Sequence, residues 1–117
     1  RNSQFSEISG QNNATLTVNP EVFSPDNDGF DDVVTFNYEF TEPGFTASLY
    51  IYDANGRLVN TITRNMLMGT SGQLSWNGIQ DDSGKARVGI YIVFLEGFTL
   101  DGKTIAVKKP FVLGGKL

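Results

Sequence analysis

The chain has 117 residues, 39% of them hydrophobic, and a net charge of −4, which suits one domain that buries roughly two-thirds of its unfolded surface. It contains neither Cys nor His, which removes disulfides, thiolate nucleophiles and metal ligands, the commonest general base and every Ser–His triad. Its nine basic residues are scattered apart from Lys108 and Lys109. There is thus no cationic stripe for nucleic acid, and no apolar run nears the ~20 residues of a membrane span.

Residues 1–13 are rich in Asn, Ser, Gln and Gly, with Phe5 and Ile8 as the sizeable apolar residues. They read as a linker or N-terminal arm, with a first strand around Phe5–Ile8 as the alternative. The domain proper is expected over 14–117. The chain opens on Arg1, so it reads as a piece of something longer, with any export signal upstream.

From Ala14 the apolar period is two. Leu16 and Val18 alternate with threonines as far as Pro20; Val34, Phe36, Tyr38 and Phe40 form a second run, and Ala47, Leu49 and Ile51 a third. Such alternation buries one set of side chains and turns the other to solvent. Pro43-Gly44 marks a turn between the second and third runs. Asp53-Ala54-Asn55-Gly56 leads into 57–63, where Leu58 and Ile62 are expected to share a face. Asp101-Gly102 joins 88–100 to 103–112. Both dipeptides predict hairpins with type I′ turns. Residues 73–76 make a short strand and 65–68 at most a turn. About seven short strands without helical periodicity predict an all-β antiparallel sandwich.

The run Asp26-Asn27-Asp28-Gly29-Phe30-Asp31-Asp32 packs carboxylates around a glycine. Calcium takes six to eight oxygens, so Asp26, Asp28, Asp31 and Asp32 are its candidate ligands, although the spacing is not that of an EF-hand loop. The competing reading has these side chains bonding their own backbone as Asx-turns; Asp81-Asp82-Ser83-Gly84 poses the same choice and reads better as a turn. Acids held in turns define no cleft between two carboxyl groups, so an enzyme is not expected. No other cofactor is implied.

Tyr50 and Tyr52 fall opposite the Ala47, Leu49 and Ile51 set. Exposed together they would grip a glycan or a protein; otherwise they pair across strands. Ile90–Leu95 is apolar on both faces, with Tyr91, Val93 and Leu95 on one and Ile90, Ile92 and Phe94 on the other. A sandwich strand normally buries one face. The second is either covered within the chain, which is the expectation, or serves as a docking patch.

Three motifs follow in order: Asn19-Pro20 with 23–32, Leu49–Asp53 running into Gly56–Val59, and Trp76-Asn77-Gly78 with 81–85 and Val88-Gly89-Ile90-Tyr91. Together, over 19 to about 113, they resemble the C-terminal immunoglobulin-like domains of Bacteroidetes cell-surface proteins. That group includes type IX secretion sorting domains and is similar to the flagellar hook-capping immunoglobulin-like domain. Arg87 stands where such domains often carry Pro, residues 108–117 loosely match the basic-apolar ending of sorting domains, and Arg1–Gln4 weakly resembles the tail of a preceding lamin-tail-like domain.

The resemblance implies an immunoglobulin-like sandwich with Trp76 and Tyr91 in its core. It further implies a non-catalytic C-terminal structural or sorting module of an exported protein, at the outer-membrane surface or extracellular. The expected partners are neighbouring domains of the parent protein and secretion or cell-surface machinery. The alternative is a glycan- or protein-binding adhesion module, stabilised by calcium if the acidic loop takes the ion.

Overall fold

The structure, a computed structural model, describes residues 14–24, 32–80 and 84–114. Among them run eight strands: β1 (Ala14–Asn19), β2 (Val22–Phe23), β3 (Val34–Phe40), β4 (Thr46–Asp53), β5 (Leu58–Leu67), β6 (Ser71–Trp76), β7 (Gly89–Phe98) and β8 (Thr104–Leu113). They form one sheet in the order β1-β3-β6 and a second in the order β2-β8-β7-β4-β5. The fold is an immunoglobulin-like β-sandwich, all-β as its period-two patterning requires.

The alternation in β3 places Val34, Phe36, Tyr38 and Phe40 in the core. From the other sheet Ala47, Leu49 and Ile51 of β4, Tyr91, Val93 and Leu95 of β7, and Ile105, Val107, Phe111 and Leu113 of β8 meet them. Phe23, Trp76 and Tyr91 pack around Phe111 with ring centroids 6.0–6.1 Å away. Trp76 and Tyr91 are thus core residues, buried to 3% and 5% exposure.

The chain leaves the first sheet at the cis Asn19-Pro20 bond. Pro20 has no N–H to offer a ladder, and the next residues pair with the other sheet, Val22 and Phe23 lying parallel to Val112 and Leu113. This two-residue strand is too short to carry a period and raises the count from the seven predicted to eight.

Both predicted hairpins form, but not with type I′ turns. Gly56 N–H donates to Asp53 O at 3.0 Å and Asp53 N–H to Arg57 O at 2.9 Å; Gly102 N–H donates to Thr99 O at 3.1 Å and Thr99 N–H to Lys103 O at 2.9 Å. Positive φ is confined in each turn to the glycine, 85° at Gly56 and 98° at Gly102. A type I′ turn needs it at two positions. These are three-residue loops closed by a left-handed glycine.

The stretch 65–68, expected as a turn, continues β5 as far as Leu67. Asn65 takes φ 51° and its N–H donates to Ser48 Oγ at 2.8 Å, which satisfies a hydroxyl in the buried Ser48. Register shifts along β4–β5 also undo the expected facing of Leu58 with Ile62. Val59 is the buried residue, Leu58 is 44% exposed, and Ile62 packs at the core margin.

Candidate functional site

The two outer faces of the sandwich differ in chemistry. On the three-stranded sheet, cross-strand rows read Thr15–Glu39–Ser71, Thr17–Asn37–Gln73 and Asn19–Thr35–Ser75, a polar surface. On the five-stranded sheet, Tyr50 pairs with Phe94 and Tyr52 with Ile92, while Ile90 and Ile92 stand opposite Val112 and Pro110. This second face is apolar and aromatic.

Tyr50, Tyr52, Ile92 and Phe94 are each half-buried. The three rings form one cluster, with centroids 6.2 Å apart for Tyr50–Tyr52, 6.4 Å for Tyr50–Phe94 and 6.3 Å for Tyr52–Phe94. Lys108 Nζ lies 5.4 Å from the Phe94 centroid, within cation–π range. Burial, then the neighbouring Tyr50 and Glu96, raises the Tyr52 hydroxyl pKa above its ordinary value, so it stays a neutral donor. The tyrosines therefore pair across and along strands while staying partly exposed. Ile90 is 56% exposed whereas Ile92 and Phe94 are half-buried; Phe5 and the linker, the expected cover for this face, lie outside the described residues.

Of the acidic run, Asp26, Asp28 and Asp31 lie outside the described residues, as do Asp81, Asp82 and Ser83. Asp32 is half-buried. Among the described residues no three His, Cys, Asp or Glu side chains gather where they could hold a metal ion.

The second and third sequence motifs find structural roles. Asp53 Oδ1 accepts from the N–H groups of Asn55 and Arg57, each at 2.9 Å, and Arg57 Nε lies 3.3 Å from Asp53 Oδ2. The Arg57 N–H is the main reason the Asp53 carboxyl sits below its ordinary pKa. In the Trp76-Asn77-Gly78 turn, Gly78 takes φ 87°. The Ile79 carbonyl then accepts from Trp76 Nε1 at 2.8 Å and Asn60 Nδ2 at 2.5 Å. Tyr91 donates its hydroxyl proton to Arg87 O at 2.6 Å.

Where these two motifs meet, a groove of about 620 Å³ opens between the β4–β5 turn and the segment entering β7. Arg57, Lys85 and Arg87 line it beside Asp53, with Leu58, Val88 and Ile90 at its apolar edges. Sequence reasoning missed it, because Arg57 is remote in the chain from Lys85 and Arg87 and no local pattern joins them.

A β-sandwich with one apolar, aromatic outer face is the class these features define. The chain is similar to part of dimeric latent PorU from Porphyromonas gingivalis, with a TM-score of 0.63 and 22% identity over 88% of this chain and 9% of that one. It is also similar to part of PorZ, an essential bacterial surface component of the type-IX secretion system of the same organism, with a TM-score of 0.50 and 20% identity over 95% of this chain and 12% of that one. The soluble domain of PmoD from Methylocystis sp. matches with a TM-score of 0.53 and 14% identity, over 86% of this chain and 90% of that one. No family model matches the chain, nor does any curated protein. Identities this low establish the fold, and function rests on sites. The chain spans 9% of PorU and 12% of PorZ.

Proposed function

We propose that this chain is a non-catalytic structural or sorting module, the C-terminal sandwich of an exported protein held at the outer-membrane surface or outside the cell. In this reading residues 14–117 are the folding unit and 1–13 a linker. The observation that carries it is the match of 88% of the chain to a small part of PorU, backed by the likeness to PorZ and by the three ordered motifs. The module works by presenting a folded sandwich to secretion machinery or to a neighbouring domain. Fusing the whole chain to a periplasm-directed reporter in a type IX-secreting host tests it. Surface-exposed reporter is expected; reporter retained in the periplasm contradicts sorting.

A second reading is favoured by one observation, the clustering of the half-buried Tyr50, Tyr52 and Phe94 rings on the apolar face with Ile90 and Ile92 beside them. These five residues would then be the contact surface of an adhesion module for glycan or protein. Loss of glycan-array binding in Tyr52→Ala supports it, and the absence of any binder removes the glycan version. Calcium at Asp26, Asp28, Asp31 and Asp32 belongs to this reading. A ligand that binds only the folded state raises the melting midpoint, so equal midpoints in calcium and in chelator leave these residues as turn formers.

A further inference from the structure

We infer that the groove between the β4–β5 turn and the segment entering β7 docks an acidic peptide segment with apolar flanks, contributed by a partner protein. In a chain of net charge −4, three of the nine basic residues line this one groove. Asp53 is the carboxylate among the described lining residues, and it is already engaged by Arg57 and by two main-chain N–H groups. Lys85 and Arg87 are exposed and have no carboxylate partner among the described residues. Tyr91, at the groove wall, feels Asp53, Arg57 and Arg87 together, so these charges converge on one place.

The cations argue for an anionic ligand, and the edges narrow the class. Leu58, Val88 and Ile90 are 44%, 66% and 56% exposed, apolar surface that a simple anion would leave unused. A peptide that alternates acids with aliphatic residues satisfies both, its carboxylates steered by the local potential and its aliphatic groups covering the edges. The volume lies within the range of ligand-sized clefts, ~300–1,000 Å³. A concave groove also suits an extended chain better than it suits a flat lipid surface.

The test is an amide chemical-shift titration of the 117-residue chain with the capped peptide Leu-Glu-Val-Glu-Leu-Glu, against its Gln counterpart. Saturable shifts are expected at residues 56–58 and 85–90. Lys85→Glu/Arg87→Glu should weaken binding at least about fivefold, Lys109→Glu should leave it unchanged, and salt should weaken it further. Should the double reversal disturb folding, Lys85→Gln/Arg87→Gln gives the same reading with a smaller loss. No saturable shift, an equal response to the Gln peptide, shifts centred on Phe94, or binding to phosphatidylglycerol vesicles but not to the peptide would each overturn the assignment.

Discussion

Asp53 accepts two main-chain hydrogen bonds and an ion pair within a single turn, and its carboxyl pKa is lowered, first by the Arg57 N–H. The Asp101 carboxyl is likewise lowered, chiefly by the Thr99 hydroxyl. A lowered folded-state pKa adds stability that is complete above the unfolded value, about 4, and is lost as pH falls through the folded one. Lys103 is raised by Glu42, and Tyr52 and Tyr91 are raised by burial. Their contribution is complete below about pH 10 and lost as pH rises through the folded values. Melting midpoints should therefore stay level between about pH 5 and 9 and drop on both sides. Asp53→Asn keeps an acceptor oxygen but loses the charge, so its acid limb should be shallower; an unchanged limb would contradict the assignment. Gly97 tests packing in the same way. A Cβ there would lie 2.9 Å from Ala47 Cβ and 3.0 Å from Thr46 O, so Gly97→Ala should cost about 1–3 kcal/mol in urea unfolding.

At the scale of elements, the Trp76 turn joins two strands through one carbonyl. Trp76→Phe removes the indole donor to Ile79 O and leaves a void among Phe23, Tyr91 and Phe111. About 1–3 kcal/mol of stability should be lost, read as a lower urea midpoint at unchanged slope. Legibility in the sequence follows the same physics. Strands β3 and β4 could be read because an unbroken period of two maps directly onto burial, and both hairpins because a left-handed glycine is hard to replace. Strand β2 could not, since two residues carry no period. The end of β5 was hidden because the residues around Asn65 shift register, so side chains change faces within one strand. The aromatic face was legible because its residues alternate along β4 and β7. The cationic groove was not, because the turn and the Ile79–Lys85 bridge assemble it from distant segments.

For the whole molecule, the contrast between a polar outer face and an apolar, aromatic one is what a single-sided module needs: one side for water and one for a neighbour. The groove lies at the edge of that apolar side, where Ile90 and Leu58 belong to both, so a partner resting on the face would also reach the cations. In the proposed function the sandwich itself directs or anchors a larger exported protein at the cell surface. The most direct measurement compares surface-accessible reporter, fused to the whole chain, in a type IX-competent host and in an otherwise identical strain lacking that system. Reporter open to external protease only in the competent strain is the expected result. The same distribution in both would contradict it.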